Sequence, residues 1–215
     1  MISNYDNIIF DLDGTLIDSS LDIINCLVKA YEKAGIHNVR INKSHIGPKI
    51  ETLINQLTPE IGNINQQKVI KIYRDEYDNL KEKQTILYEG VIDTLHSLKS
   101  ANKNLFIATN KPKSATIPLL NHFEISFLFK DVLTPTSIEK LELNKTKMIE
   151  YLISKYYLDI SKTIMVGDHA DDIYSAKING ISSIAVLYGY SSAESMKSTP
   201  ANFKINHITE ILIND

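Results

Sequence analysis

The chain has 215 residues, of which 43% are hydrophobic and 23% charged, with a formal net charge of -3. These values suit one large globular domain, or a core with an insertion, and exclude a disordered or fibrous chain. A weakly acidic balance without an apolar run near the ~20 residues of a membrane span leaves neither nucleic acid nor a membrane as an expected partner.

The start, Met1-Ile2-Ser3-Asn4-Tyr5-Asp6, has no basic region followed by an apolar run. It is expected not to be a signal peptide, and a cytoplasmic location is expected. Residues 7–11 (NIIFD) then form a nearly continuous apolar, β-rich run. Similar runs occupy residues 104–109, 163–167 and 183–187, and a shorter one covers 130–133. Such runs suit strands of a parallel sheet covered on both faces. Between the first two lie more than ninety residues, far beyond an ordinary crossover. Residues 17–87 read as entirely helical, with three apolar stripes: Leu21, Ile24, Leu27, Val28 and Tyr31; Leu53, Ile54 and Leu57; Val69, Ile72, Tyr73, Tyr77 and Leu80. The single cysteine, Cys26, precludes an intrachain disulfide and reads as a buried core thiol. Val91, Leu95 and Leu98 mark a helix before the second strand, and Ile117, Leu120 and Phe123 one after it. Met148, Ile149, Leu152 and Ile153 precede the fourth strand; Ile173, Ala176 and Lys177 follow it, with Gly180 as a stop. Strands alternating with helices imply a doubly wound α/β sheet. The expected division is a Rossmann-like core from 1–16 and 88–215 and an inserted helical domain from 17–87.

Chemistry-bearing residues gather at the expected strand ends, where open α/β sheets bind ligands. Asp11-Leu12-Asp13-Gly14-Thr15 closes the first strand. Carboxylates at i and i+2 can face one way, and Gly14 lets the backbone approach a ligand closely. Asp11 is expected to be ionised near neutrality and to need no base to act as a nucleophile. The bland alternative is a loop leading to a helix N-cap. Thr109-Asn110-Lys111 follows the second strand, where a hydroxyl and backbone amides can hold a phosphoryl oxygen, or where Thr109 or Asn110 can cap a helix before Pro112. Lys145 opens a helix and can offset phosphate charge, with Lys140 and Lys147 as rivals. Asp168 sits at the tip of the fourth strand and Asp172 one helical turn on. Asp168, Asp11 and a backbone carbonyl offer the oxygen ligands that a hard cation such as Mg²⁺ takes. Asp171 reads as a helix-dipole acid and His169 as an exposed loop residue.

The set Asp11-x-Asp13-Gly14-Thr15, Thr109-Asn110, Lys145 and Gly167-Asp168 with Asp172 resembles the haloacid dehalogenase-like hydrolase superfamily. Five stretches resemble its phosphoglycolate phosphatase-like branch more closely: Leu16-Ile17-Asp18-Ser19, Ile46-Gly47-Pro48, Tyr88-Glu89-Gly90-Val91, Thr109-Asn110-Lys111-Pro112, and Val186-Leu187-Tyr188-Gly189-Tyr190. The resemblance implies a Rossmann-like core with a helical cap inserted after the first strand, an aspartyl-phosphate intermediate and Mg²⁺. It implies Asp11 as nucleophile and Asp13 as acid and base. It further implies a metal held by Asp11, the Asp13 carbonyl and Asp168, with Asp172 acting behind them or through water. Phosphate contacts fall to Gly14, Thr109, Asn110 and Lys145. Lys49 stands where branch members often have a second proline, in a loop that faces the substrate. Lys49, Arg40 and Arg74 are therefore candidate cap contacts to a small phosphorylated substrate. A phosphosugar mutase, a dehalogenase and a phosphate-storing receiver are the rival readings, and oligomeric state stays open.

Overall fold

The computed structural model describes residues 2–80, 83–139 and 141–213. Its central sheet has six strands, all parallel, in the order β5-β4-β1-β6-β7-β8. These are β1 (Asn7–Phe10), β4 (Asn104–Ala108), β5 (Asp131–Leu133), β6 (Thr163–Gly167), β7 (Ser182–Val186) and β8 (Phe203–Ile205). The alternating direction of side chains along a strand explains the continuous apolar runs. Ile8 and Phe10 belong to one cluster, together with Val91, Leu95 and Leu98 of α4 (Val91–Ser100) and Leu119 and Leu120 of α5 (Lys113–His122). Ile9 belongs to the cluster on the other face, with Met148, Ile149 and Leu152 of α6 (Lys145–Tyr156) and Ala176 of α7 (Ala170–Ile178). Both faces of β1 are fully buried, so polar side chains can escape the core only beyond its ends.

Strand β8 was absent from the sequence expectation. Its three residues alternate and sit at the sheet edge, a pattern too short to stand out. The expected strands at 7–11, 104–109 and 183–187 each end one residue earlier than read, so Asp11, Thr109 and Leu187 stand just past their strands.

The insertion is not entirely helical. Residues Ile17–Asp18 (β2) pair antiparallel with Ile86–Leu87 (β3), so the chain enters and leaves the inserted segment side by side. Between these strands lie α1 (Ser20–Ala34), α2 (Ile50–Leu57) and α3 (Gly62–Asp78), packed around their own apolar cluster. The stretch between α1 and α2 is irregular apart from the 3-10 turn at Lys43–His45. The expected stripe on α1 is also turned. Leu21 and Val28 are exposed, whereas Ile23, Cys26, Leu27, Ala30 and Tyr31 are buried. The cause is Asp22, which is 2% exposed and accepts hydrogen bonds from the Gln84 and Thr85 amides and the Thr85 hydroxyl. A buried carboxylate is tolerable once so bonded. Satisfying Asp22 orients the helix and ties its first turn to the returning linker.

The candidate active site

The chain runs from β1 outward to β4 and β5 on one side, then returns to β6, β7 and β8 on the other. The reversal between β1 and β6 is where open parallel sheets leave a crevice at the carboxyl ends of their strands. Asp11 follows β1 and Asp168 follows β6, on neighbouring strands. Asp172 lies on the first turn of α7, behind them. Ligand atoms of Asp11, Asp168 and Asp172 lie within 4.8 Å of one another, and all three residues are buried.

Lys145 supplies the balancing charge. It begins α6, whose Asn144 cap accepts from the Lys147 amide. Its ammonium is 2.7 Å from Asp11 Oδ1 and 2.9 Å from Asp172 Oδ1, and it donates to the Ala108 carbonyl at 2.7 Å. Lys147 is exposed, which removes one rival; Lys140 lies outside the described residues. Burial lowers the proton affinity of Lys145, but Asp11 and Asp172 outweigh it and hold the ammonium above its ordinary range. One cation does not offset three carboxylates. Burial, opposed by Lys145 and reinforced by Asp172, pushes Asp11 up to about 7. Burial and then the Asp11 and Asp172 charges push Asp168 well above the usual carboxylate range. A buried cluster of oxygen donors with surplus negative charge fits a hard divalent cation. The expectation that Asp11 ionises like a free carboxylate needs correction: without such a cation, its surroundings raise its proton affinity until it titrates near neutrality.

The backbone is shaped to the acids. Gly14 has φ +82°, and a Cβ there would lie 2.2 Å from Asp168 Oδ2. A Cβ on Gly189 would strike the Asp168 Cβ at the same distance. Asp168 also accepts from the Tyr190 amide at 2.7 Å and from the Thr15 hydroxyl at 3.3 Å.

Asp13 belongs to a second constellation. Its Oδ1 accepts from the Ser19 hydroxyl at 2.5 Å, and Tyr190 Oη lies 3.1 Å from that hydroxyl and accepts from the Ser19 amide. The Lys111 ammonium sits 3.0 and 3.2 Å from the two Asp13 oxygens. Lys111, Ser19 and Tyr190 were given no role from sequence, although each lies in a stretch that carried the family resemblance. Thr109 Oγ1 accepts from the Lys111 amide, which leaves the hydroxyl proton free to donate. Neither Thr109 nor Asn110 caps α5; Pro112 stands at its N-cap. Asn110 instead donates to the Gly47 carbonyl at 3.1 Å, joining core to insertion. His169 is no free loop residue either: it caps α7, accepting from the Asp171 amide, and packs close to Gly47.

Asp11, Asp13, Thr109, Asn110 and Lys111 open into a cavity of about 880 Å³ between core and insertion. Ile23, Ile46, Leu53 and Tyr73 line it from the insertion. Lys49 lines it with its ammonium 2.7 Å from Glu142 of the core, and Arg74 lines it paired with Glu51. Arg40 is exposed and is not among the lining residues.

A family model described as haloacid dehalogenase-like hydrolase matches residues 8–186. The chain belongs to this family. It is 28% identical to a phosphoglycolate phosphatase of Vibrio vulnificus, over 95% of this chain and 93% of that one. It is 26% identical to a 5'-nucleotidase of Pseudomonas aeruginosa, over 90% and 88%. A crystal structure of a predicted phosphatase from Clostridium acetobutylicum superposes with a TM-score of 0.87 at 29% identity, covering 96% of each chain. Family, fold and relatives agree with the phosphoglycolate phosphatase-like side of the superfamily.

Proposed function

We propose that this haloacid dehalogenase-like hydrolase is a magnesium-dependent phosphatase of small phosphate monoesters, with Asp11 as its nucleophile. The observation that carries this reading is a buried carboxylate beyond β1. It is paired with Lys145, flanked by Asp168 and Asp172, and open to the cavity that also takes in Asp13. Mg²⁺ would be held by Asp11, Asp168 and the Asp13 carbonyl, with Asp172 behind them, and supplies charge neutralisation for Asp11 and the phosphoryl group. Lys145 fixes Asp11 and lowers its proton affinity. Asp11 attacks phosphorus while Asp13 gives a proton to the departing alcohol oxygen. Asp13 then takes a proton from the water that hydrolyses the aspartyl phosphate. The Thr109 hydroxyl, the Asn110 side chain and the loop at Gly14 are the phosphoryl contacts. Residues 17–87 act as a cap that selects the leaving group and excludes bulk water, with Lys49 at its mouth. The relatives bring phosphoglycolate and 5'-nucleotides forward as candidate substrates, handled in the cytoplasm.

The test has two arms. Phosphate release from p-nitrophenyl phosphate should vanish in metal-stripped protein and return with Mg²⁺. In Asp13→Asn, an activated ester such as acetyl phosphate should leave one phosphoryl group on Asp11, seen by intact-protein mass spectrometry after acid quench and placed by borohydride trapping. Undiminished turnover in excess EDTA, or a phosphoryl group on another residue, overturns the reading.

A further inference from the structure

Two residues reach Asp13 from behind the cavity. Ser19 and Tyr190 are buried, and neither is among the lining residues, so neither touches a substrate bound there. The loop after β7 carries Tyr190 and braces the segment that leads from Asp13 into the insertion. Tyr188 donates to the Thr15 carbonyl at 2.8 Å, and a Cβ on Gly189 would lie 2.5 Å from the Gly14 carbonyl oxygen. The Ser19 amide donates to Tyr190 Oη at 2.7 Å, and the Tyr190 amide donates to Asp168. The Lys43 ammonium of the insertion, paired with Asp18, lies over the Tyr190 ring at 5.1 Å. Tyr190 is thus held by its amide, its ring and its hydroxyl.

Asp13 has to offer one oxygen to the ester in a fixed direction. The carboxyl torsion of an aspartate is broad and two-fold, so something must tell its two oxygens apart. Lys111 does not, because its ammonium lies 3.0 Å from Oδ1 and 3.2 Å from Oδ2. Ser19 does, because its hydroxyl donates to Oδ1 at 2.5 Å. A hydroxyl has one proton and two lone pairs. The Ser19 proton is taken by Asp13, so Tyr190 is the donor in the 3.1 Å contact between the two hydroxyls. Its other acceptor, the Ile17 carbonyl, is more distant at 3.5 Å. The bonds therefore run one way: Ser19 amide to Tyr190 Oη, Tyr190 hydroxyl to Ser19 Oγ, Ser19 hydroxyl to Asp13 Oδ1. Each donor in such a chain strengthens the next. Oδ1 has both lone pairs occupied by Ser19 and Lys111, whereas among the described residues Oδ2 accepts from Lys111 alone. We propose that Tyr190 is a positioning residue for the acid and base: through Ser19 it fixes Oδ1 of Asp13 as an acceptor and leaves Oδ2 as the oxygen that exchanges the proton. This rests on the phosphatase reading of the same site and deepens it. In the first step the Oδ2–H bond breaks, and the ester oxygen takes the proton as it departs with the electron pair of its bond to phosphorus. In the second, a water proton passes to Oδ2 while the water oxygen bonds phosphorus and the bond from Asp11 breaks.

The experiment measures kcat/KM for p-nitrophenyl phosphate and p-methylphenyl phosphate, two esters of similar shape whose leaving groups differ in their need for a proton. The enzymes are Mg²⁺-loaded wild type, Tyr190→Phe, Ser19→Ala and the double variant. Tyr190→Phe keeps the ring and the amide to Asp168 and removes only the hydroxyl. It should slow the methyl ester about tenfold more than the nitro ester, a fraction of what a general acid contributes. Ser19→Ala should shift that ratio to the same extent, and the double variant no further, because the two act in series. Half-saturation by Mg²⁺ should stay where it is in Tyr190→Phe. If Tyr190 is only part of the packing, both esters lose rate equally and the ratio stays put, which overturns the proposal and leaves the phosphatase reading intact. Ratios that multiply in the double variant, or rates restored by raising Mg²⁺, also overturn it, the latter because Tyr190 would then act through Asp168. A wild type inert toward both esters in Mg²⁺ defeats the phosphatase reading as well. Should Tyr190→Phe fold poorly by circular dichroism, Ser19→Ala carries the comparison, since it removes the link through which Tyr190 acts; an unchanged ratio there overturns the proposal equally.

Discussion

The carboxyl end of the core sheet and the ion pairs of the insertion treat charge in opposite ways. In the core, Lys145, Asp11 and Asp172 meet at 2.7 and 2.9 Å with side-chain exposures of 4%, 9% and 1%. In the insertion, the ion pairs Lys33 with Glu76 and Arg74 with Glu51 lie at the surface. A buried pair is held in place because breaking it strands a charge in a poorly screening interior, whereas an exposed pair exchanges its partner for water at little cost. The buried cluster therefore has a fixed geometry, whereas the exposed pairs of the insertion are free to rearrange. Lys49 with Glu142 sits on the boundary, 25% and 69% exposed, one partner from each region.

This contrast can be broken first at its strongest point. Lys145→Met leaves Asp11 and Asp172 without their cation. In EDTA the variant should lose about 3–5 kcal/mol of stability in urea denaturation, reduced where protonation of the acids relieves the charge. Turnover with Mg²⁺ should fall at least about a hundredfold. A loss below about 1 kcal/mol, the range of a surface pair, would put Lys145 on a par with the pairs of the insertion.

A second prediction concerns pH. Asp11 rises from an ordinary carboxylate value of 3.8 to about 7, and Asp168 shifts the same way. The folded metal-free protein thus holds protons that the unfolded chain has already released. Stability from these groups is present below about pH 4 and is lost as pH rises toward 7. Metal-free protein should melt about 5 °C or more lower at pH 7.5 than at pH 5. Saturating Mg²⁺ should reduce that difference, because it takes the place of the protons. Equal melting temperatures in EDTA at the two pH values would contradict the charge surplus. The smallest effect belongs to the boundary. Lys49→Ala should change stability by no more than about 0.5 kcal/mol and shift relative rates among esters by less than about fivefold. A shift above about tenfold would place a specificity determinant at the cavity mouth.

The same contrast governs what the sequence disclosed. In the core, burial on both sheet faces leaves continuous apolar runs, and the acids at their ends stand out because nothing polar precedes them. Asp11, Asp13, Thr109, Asp168 and Asp172 were all named from that pattern, and Lys145 from the helix start that it opens. Lys111 was passed over because a lysine next to a turn is usually solvated. Only its contact with Asp13, 98 residues away, gives it meaning. Tyr190 was missed for the same reason, its partner Ser19 being 171 residues away, whereas Ser19 lies only six residues from Asp13 but carries no pattern that marks a serine there as a site residue. In the insertion, the stripe on α1 misled because Leu21 and Val28 are apolar yet exposed, while Asp22 is acidic yet buried by bonds from Gln84 and Thr85. Helical periodicity registers apolarity and carries no information about a polar group satisfied from 62 residues away.

The two-residue ribbon of β2 and β3 has an architectural consequence. Ile17 stands opposite Leu87 and Asp18 opposite Ile86, so the inserted segment begins and ends at one doorway. Facing residues in an antiparallel pair are about 5 Å apart, a gap that a two-residue hairpin turn closes. The sheet need not stretch or shift to accommodate what is threaded through that doorway. Helices can be lengthened, exchanged or reduced to a turn on the far side while Asp11 and Asp168 keep their spacing. The joint makes the insertion a replaceable fitting on a fixed phosphoryl-handling frame.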